Sequence, residues 1–340
     1  MTGMTQPFFT VVIPTSNRAT LLQQAVQSVL NQSFTDFEII IVDDHSTDNT
    51  SDVVNSFNDS RIIYVLNDHH KGGGGTRNAG IFRASGQWIA FLDDDDIWLP
   101  EKLEHLYRHI SVAASEFGLV YSGHAVYDFV ANEAMEIIRP TKAGWIMRDL
   151  LYRNYITGFS MVAIKAGILQ SVGGLDERFP AMQDRELYVR IAQVAQVSYI
   201  DLPLVLVRTS NSDRITTNFA KRMHAIYLFR EKYWEHIQPI PKLRHAIDSS
   251  IFVFATHVQD WASIWQMLPW TLAGILVDPV NLMHVCRQLS YGVRRPLRLS
   301  DGQIFGIHWR KPIQFVRSSF QQSKLTTHES ENIRSNGSSS

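Results

Sequence analysis

The segment Glu38-Ile39-Ile40-Ile41-Val42-Asp43-Asp44 gives the strongest indication of the fold. Its aliphatic run is too short for a good helix, and it is apolar on both faces, as a strand covered on both sides of a sheet must be. The run ends directly in two carboxylates. A buried strand that stops at acidic residues is typical of a parallel α/β sheet, because polar loops follow the carboxyl ends of its strands.

The same pattern recurs on either side of this segment. Further strands are predicted over residues 9–13, 62–66 and 88–92, and helices over residues 20–30, with Thr20 as N-cap, and 76–85, closed by Gly86. Past Pro100 the alternation is less regular. Helices are predicted there over residues 101–110, 187–194, 220–234 and 243–267, and strands over 119–122, 160–164 and 204–208. Strands that alternate with helices predict an α/β fold with a doubly wound, mainly parallel sheet flanked by helices.

Composition excludes several classes of protein. The 340 residues include 32 Lys and Arg against 33 Asp and Glu, a formal charge of −1, so no global field favours a nucleic acid partner. The single cysteine, Cys286, excludes an intramolecular disulfide or a site that needs several thiolates. The N-terminus lacks the basic start and apolar run of a signal peptide, and residues 264–277 are too short to span a membrane. We therefore expect a cytoplasmic protein.

Four consecutive carboxylates, Asp93-Asp94-Asp95-Asp96, follow the strand predicted at residues 88–92. Adjacent anions repel one another, and a divalent cation would relieve that repulsion. Hard oxygen ligands suit Mg²⁺ or Mn²⁺, which bind few protein carboxylates and complete their coordination with phosphate oxygens and water. The run therefore predicts a metal–phosphate site, and an acidic turn or a helix cap is the alternative.

Two further polar segments lie at strand ends or helix starts. Residues 43–48 contain a second acidic strand end, which predicts either an Asx turn before a helix or a carboxylate that accepts from a uracil or a ribose. Residues 71–80 hold four consecutive glycines and then open a helix whose N-terminus favours anions, although a flexible linker is the alternative. Arg77, in the first turn of that predicted helix, is the residue that we expect to touch a ligand.

Taken in order, five segments resemble an inverting family 2 glycosyltransferase with the GT-A fold. They are residues 12–18, residues 28–33, residues 38–48, residues 75–80, and residues 84–88 running into 93–100. The resemblance implies that Pro14, Thr15, Asn17, Arg18 and Asp44 hold the nucleobase and ribose of a nucleotide-sugar donor, most often a UDP-sugar, and that Arg77 lies beside the nucleotide.

The same resemblance places Asp93-Asp94-Asp95 at the family's D-x-D motif. It implies that Asp95 binds Mn²⁺ or Mg²⁺ and that Asp93 or Asp94 contacts the ribose or supports the metal site. On the acceptor side, residues 173–179 followed by Asp184 resemble the segment in which a Glu-Asp pair supplies the catalytic base. Here the pair reads Gln183-Asp184, so the resemblance implies Asp184 as the base, with a helix N-cap as its alternative role.

The implied reaction is transfer of a sugar with inversion to a hydroxyl of a glycan or lipid-linked acceptor, as in cell-surface polysaccharide biosynthesis. A sugar-nucleotide nucleotidyltransferase and a non-catalytic nucleotide-binding relative are the alternatives. The implied GT-A domain covers residues 1–238, with a nucleotide-binding half to about residue 122 and an acceptor-side half beyond it. Residues 239–317 are predicted to form a helical extension and residues 318–340 a disordered tail. The Trp and Met residues between Trp261 and Trp270 predict either core packing or a peripheral contact with the inner membrane face.

Overall fold

A computed structural model describes residues 6–112, 117–208 and 218–277 of the chain. Its strands are β1 (Phe9–Thr15), β2 (Phe37–Asp43), β3 (Ile62–Leu66), β4 (Trp88–Phe91), β5 (Ile97–Trp98), β6 (Phe117–Asp128), β7 (Glu133–Ile138), β8 (Val162–Lys165) and β9 (Gln196–Arg208). Its helices are α1 (Ala19–Leu30), α2 (Thr50–Asn55), α3 (Gly72–Ile81), α4 (Lys102–Val112), α5 (Met147–Tyr152), α6 (Ala166–Ser171), α7 (Gln183–Val194), α8 (Phe219–Lys232), α9 (Trp234–Ile237), α10 (Pro241–Val258) and α11 (Trp261–Val277).

The described residues form a nine-stranded sheet in the order β3-β2-β1-β4-β8-β6-β9-β5, with β7 beside β6. The first four strands in that order are parallel, as predicted. In β2, Ile39, Ile40, Ile41 and Val42 have no exposed surface, because helices or loops cover both faces of the sheet. The predicted doubly wound architecture is therefore confirmed for the first half of the chain.

Antiparallel pairing joins the second half of the chain to this sheet. Strand β8 runs antiparallel to both β4 and β6, and β9 runs parallel to β6. A short 3-10 helix, Phe159–Met161, leads directly into β8 and so lies next to β4. Residues distant in sequence are thereby fixed beside the acidic run that follows β4.

The glycine-rich helix begins earlier than the sequence predicted. Helix α3 starts at Gly72 and ends at Ile81, so the expected span of 76–85 was wrong and Arg77 lies in mid-helix rather than in the first turn. Added Cβ atoms at Gly73 and Gly74 would come within 2.9 Å of Arg77 and 3.1 Å of Gln183. A Cβ on Gly80 would come within 2.5 Å of the Val12 Cγ1 on β1, so close packing of α3 on the sheet requires glycine at that position, in a helix that intrinsic propensity disfavours.

Other boundaries also differ from prediction. Helix α1 begins at Ala19, so Thr20 is inside it and is not its N-cap. Gly86 does not end a helix, because α3 already ends at Ile81. Glycine is needed there for packing, since a Cβ on Gly86 would come within 2.5 Å of the Thr10 backbone nitrogen on β1. The single helix predicted over 243–267 is two helices, because Gln259 adopts φ 58° and ends α10. Left-handed backbone cannot continue an α-helix.

The described part of the C-terminal extension packs on the α/β core. Helix α10 contacts α8 and α5, and Leu243, Ile247 and Met267 belong to the same hydrophobic cluster as the sheet. The described residues contain no helix that is both long and apolar enough to cross a membrane. The remainder of the predicted extension, Cys286 and the predicted tail lie outside the described residues.

Lys102 is a fully buried cation near the centre of the fold. Its Nζ donates to the Ser122 Oγ and the Met161 carbonyl, both at 3.2 Å, and lies 5.2 Å from the Trp98 ring centroid. Burial lowers the pKa of Lys102 from 10.5 to about 7. The unfolded chain therefore binds more protons than the native protein between these two values, and stability rises with pH across that window.

We expect Lys102→Met to flatten this pH dependence. Between about pH 7.5 and 9.5 the free energy of unfolding of the wild type should rise faster than that of the variant, by up to about 1.4 kcal/mol per pH unit. Urea unfolding at both pH values measures the difference. Equal slopes in the two proteins would show that Lys102 keeps an ordinary pKa.

Candidate active site

The carboxyl ends of β1 and β4 open into a cleft of about 280 Å³. Its lining combines acidic, basic and aromatic groups from both halves of the chain: Pro14, Arg18, Arg77, Asp93, Asp94, Asp95, Asp96, His124, Thr157, Gly158, Phe159, Ser160, Met161 and Val207. Strand ends of a doubly wound sheet are where such folds bind ligands. The structure thus brings Pro14, Arg18, Arg77 and Asp93–Asp95 together as the sequence predicted.

Asp94 is a buried member of the acidic run. It accepts hydrogen bonds from the Thr15 Oγ1 at 2.8 Å and from the Arg18 Nη1 at 3.0 Å. Burial, with a further contribution from Asp95, raises the pKa of Asp94 to about 6 despite the opposing charge of Arg18. Asp94 and Thr15 therefore act chiefly to hold Arg18 at the mouth of the cleft.

Arg77 spans the cleft from the donor side to its far wall. One guanidinium nitrogen pairs with the Asp93 carboxylate, and the other donates to the Gly73 carbonyl at 3.0 Å. The guanidinium carbon lies 4.3 Å from the Phe159 ring centroid. The Arg77 Nε is buried and has no hydrogen-bond partner among the described residues. This arrangement leaves a partly unsatisfied cation directed at the cleft.

Ser160 links the two ends of the acidic run. Its hydroxyl donates to the Asp96 carboxylate at 2.6 Å and accepts from the Asp93 backbone N–H at 3.0 Å. The Ser160 carbonyl in turn accepts from the Trp98 indole at 2.9 Å. Nothing in the sequence near residue 160 signals this role, because the contact exists only after β8 pairs with β4.

Asp95 is the member of the run whose environment best fits a metal ligand. Its carboxylate lines the cleft and lies 3.4 Å from the Arg18 Nη1, while its backbone carbonyl accepts from the Arg208 Nε at 3.3 Å. No group of three or more metal-binding side chains occurs among the described residues. Mg²⁺ and Mn²⁺ commonly bind through one or two carboxylates together with substrate phosphates, so the residues present fit such an ion.

Asp44 lies beneath the glycine-rich segment and is buried. Its carboxylate accepts from the backbone N–H groups of Lys71 and Gly72, at 2.7 and 2.9 Å, and from the Asn67 amide at 2.9 Å. Although burial opposes ionisation, these hydrogen bonds lower the pKa of Asp44. Asp44 is not among the cleft-lining residues, so its predicted contact with the nucleotide remains a prediction.

Asn17 connects the loops that follow β1 and β2. Its Oδ1 accepts from the Thr47 backbone N–H at 2.7 Å, and its own N–H donates to the Ser46 Oγ at 2.8 Å. The backbone of Asn17 adopts φ 53°, a conformation that asparagine tolerates better than most residues. Asn17 therefore fixes these two loops against each other, and its predicted ligand contact stays a prediction.

Asp184, the second residue of α7, is half-buried and is not among the residues that line the cleft. Met182, with φ 59°, precedes α7 as its N-cap, so the alternative role of Asp184 as N-cap was wrong. The Asn154 amide donates to Asp184 Oδ2 at 2.7 Å. Burial raises the pKa of Asp184, while the nearby charge of Arg77 lowers it and that of Asp93 raises it. The sequence did not signal Asn154, which comes from a loop 30 residues earlier.

Asn78 on α3 forms hydrogen bonds with the segment at residues 173–179, which precedes α7. Its amide oxygen accepts from the Leu175 backbone N–H at 2.8 Å, and its amide nitrogen donates to the Leu175 carbonyl at 3.0 Å and to Glu177 at 2.7 Å. Gln183, at the position where the resembled family has Glu, lies against Gly73 and Gly74. These contacts fix the start of α7, and with it Asp184, relative to the donor side.

Comparison with known proteins identifies this architecture. Residues 10–163 match the model of glycosyl transferase family 2. The UDP-Glc:alpha-D-GlcNAc-diphosphoundecaprenol beta-1,3-glucosyltransferase WfgD of Escherichia coli is 37% identical over 128 residues, which cover 36% of this chain and 51% of that protein. The GalNAc(5)-diNAcBac-PP-undecaprenol beta-1,3-glucosyltransferase of Campylobacter jejuni is 46% identical over 103 residues, covering 29% of this chain and 33% of that protein. The chain thus spans about half the length of the first relative and a third of the second.

Solved structures show the same fold. TarS 1–349 of S. aureus, crystallised with UDP-GlcNAc, superposes with a TM-score of 0.56 at 16% identity over 72% of this chain and 71% of that one. The mannosyltransferase PcManGT from Pyrobaculum calidifontis, solved in complex with GDP-Man and Mn²⁺, superposes with a TM-score of 0.54 at 17% identity. The match covers 84% of this chain and 85% of that one. The predicted GT-A fold and the predicted resemblance to family 2 are confirmed.

The packing of Gly174 on Asn78 provides a matched pair of variants. Gly173 and Gly174 adopt φ 78° and 69°, so alanine at either position should cost about 1–2 kcal/mol. A Cβ on Gly174 would also lie 2.7 Å from the Asn78 Oδ1, whereas one on Gly173 meets no atom within 4 Å. We expect Gly174→Ala to be the more destabilising by about 2 kcal/mol, since it disrupts the hydrogen bonds to Leu175. Denaturant unfolding of both variants tests this, and equal losses would contradict it.

Proposed function

We propose that this chain, which matches glycosyl transferase family 2 over residues 10–163, transfers a sugar from a nucleotide-sugar donor to an acceptor hydroxyl with inversion. The observation that carries the proposal is that Arg18, Arg77 and Asp95 line one cleft at the strand ends, while Asp184 lies near enough to Arg77 and Asp93 for their charges to act on its pKa. A nucleotidyltransferase would be expected to carry a basic glycine-rich loop directly after β1. The glycine-rich run here lies on α3, after β3, and so does not favour that alternative.

Arg18 and Arg77 are suited to the diphosphate of the donor. Their guanidinium groups line the cleft from two different elements, and each is held in place by a carboxylate, Asp94 or Asp93. Preorganised cations of this kind stabilise the negative charge that develops on a leaving nucleoside diphosphate. A divalent ion held by Asp95 would add further charge neutralisation of the diphosphate when bound. UDP is the proposed nucleotide, as named for the WfgD relative and for the TarS ligand.

Asp184 is suited to the removal of the acceptor proton. A raised pKa strengthens the Asp184 carboxylate as a base. The hydrogen bond from Asn154 orients Oδ2, so that the other oxygen can receive the proton. Asp176, in the segment before α7, is less suited to this role, because it is paired with Arg178 and Lys232 and these interactions lower its pKa. Attack on the anomeric carbon from the face opposite the leaving group then inverts it in a single displacement.

The acceptor that we propose is a sugar linked through diphosphate to a long-chain lipid, in the synthesis of a cell-surface polysaccharide. Both curated relatives described above are named for undecaprenol-diphosphate acceptors. The side chains of Trp261 and Trp265 are 65% and 68% exposed on α11, which is unusual for so large an apolar group. Indole rings favour the membrane–water interface, so this helix supports peripheral contact with the cytoplasmic membrane face.

Asp95→Asn should weaken the binding of UDP in the presence of Mn²⁺, because the change removes a negative charge without altering volume. Calorimetry with UDP and Mn²⁺ measures the effect, and UDP affinity in EDTA should be the same for both proteins. Asp201→Asn, which changes an exposed carboxylate that is paired with Arg139, is the matched control. Unchanged affinity in Asp95→Asn would remove Asp95 from the metal site.

Asp184→Asn should reduce sugar transfer by roughly 10²–10⁴-fold while donor binding stays normal, because proton abstraction belongs to the transition state. Asparagine can still accept the hydrogen bond from Asn154, so little stability should be lost. Steady-state kinetics and UDP calorimetry on the same preparation separate the two effects. Near wild-type turnover in this variant would place the base elsewhere.

A further inference from the structure

His124 is a nearly buried histidine in the wall of the cleft. It is 5% exposed and lines the cleft together with Met161 and Val207. In the part of the chain that the structure describes, its ring nitrogens form no hydrogen bond. A buried polar side chain ordinarily has a hydrogen-bond partner, so this imidazole is available to a group that enters the cleft.

The sheet places His124 beyond the acidic run, as seen from the loops that follow β1 and β2. Neighbouring strands occur in the order β2, β1, β4, β8 and β6, and β6 runs parallel to β4 because β8 is antiparallel to both. The carboxyl-terminal half of β6, which contains His124, therefore lies at the same edge of the sheet as the run Asp93–Asp96. A donor whose nucleoside lies over β1 and β2 and whose diphosphate lies at Arg18 and Arg77 would extend its sugar towards His124.

Strand β6 is irregular where it carries His124. Its pairing with β9 shifts register on both sides of Gly123, the residue before His124. A Cβ on Gly123 would lie 2.7 Å from the Ile138 carbonyl oxygen, so β7 packs closely against this point. Irregular pairing of this kind redirects side chains and is frequent beside active sites. The strand geometry thus agrees with a binding role for His124.

The ionisation state of His124 suits a hydroxyl group rather than a phosphate. Burial, with a further contribution from the charge of Lys102, lowers the pKa of His124 to about 4. The imidazole is therefore uncharged near neutral pH, with one N–H donor and one acceptor nitrogen. A sugar hydroxyl likewise donates and accepts, whereas a phosphate favours a charged partner. Met161 and Val207 add apolar side chains against which the C–H groups of a sugar ring can pack.

We propose that His124 recognises a hydroxyl group of the donor sugar and thereby helps to select the nucleotide-sugar that this chain uses. The inference rests on the proposed function, since it takes the donor diphosphate to lie at Arg18 and Arg77. A hydrogen bond to one hydroxyl discriminates between sugars, because a donor that lacks this hydroxyl, or carries it in the other configuration, leaves the imidazole unpaired. His124 is thus assigned to specificity, separately from the metal, the diphosphate and the base.

Calorimetry in the presence of Mn²⁺ tests this assignment with UDP-glucose, UDP-galactose, UDP-GlcNAc and UDP-GalNAc, and with UDP as the reference. We expect His124→Phe to weaken the best-bound UDP-sugar by about fivefold or more and to leave UDP affinity within about twofold, since the phenyl ring keeps the volume but forms no hydrogen bond. His124→Gln should recover part of the loss, because its amide again supplies a donor and an acceptor. His105→Phe, a change at a half-buried histidine of α4 outside the cleft lining, should match the wild type.

Thermal melts establish that each variant is folded, and His124→Ala replaces His124→Phe if the latter is not. UDP-sugar affinities that are unchanged in the variant would overturn the assignment while leaving the proposed function intact. An equal loss for UDP would also overturn it, because the histidine would then act on the nucleotide or the metal. So would a loss in His124→Gln as large as that in His124→Phe, since it would indicate packing alone. A wild type that binds neither UDP nor any of the UDP-sugars would contradict the proposed function itself, and the specificity role with it.

Discussion

Repulsion among four adjacent carboxylates is the constraint on which the site depends. Two unit charges about 4 Å apart repel by about 4 kcal/mol at the effective dielectric constant of a protein surface, so the run from Asp93 to Asp96 needs separate partners. Arg77 pairs with Asp93, Arg18 with Asp94 and Asp95, and Ser160 donates to Asp96. Each partner that relieves the repulsion is thereby fixed at the cleft.

The sheet topology decides where those partners come from. Because β8 pairs with β4, Ser160 and Phe159 meet the acidic run although they lie more than 60 residues later in the chain. Asn78 on α3 then fastens the segment that precedes α7, which carries Asp184. Donor-side and acceptor-side groups are therefore held by one continuous set of contacts, and a change at a junction such as Gly174 should disturb both.

The first half of the fold was predictable because its signals are local. The aliphatic run in β2 and the acidic run after β4 can each be recognised from a few consecutive residues. Both lie where they were expected. The start of α3 at Gly72 and the break at Gln259 were not predictable in the same way. Tertiary packing imposes helix on the glycines, and a single left-handed residue ends α10.

The site was predictable only in part, for the same reason. Motif order placed Arg18, Arg77 and Asp93–Asp95 at one cleft, whereas the contacts made by Asn154, Ser160 and Arg208 depend on strands that pair across the whole chain. The central claim is that this cleft holds the metal and the diphosphate of a nucleotide-sugar donor. Anomalous diffraction from crystals grown with Mn²⁺ and UDP tests it most directly. The account predicts a manganese peak in coordinating contact with the Asp95 carboxylate and the UDP phosphates near Arg18 and Arg77; a nucleotide or a manganese ion bound away from this cleft would contradict it.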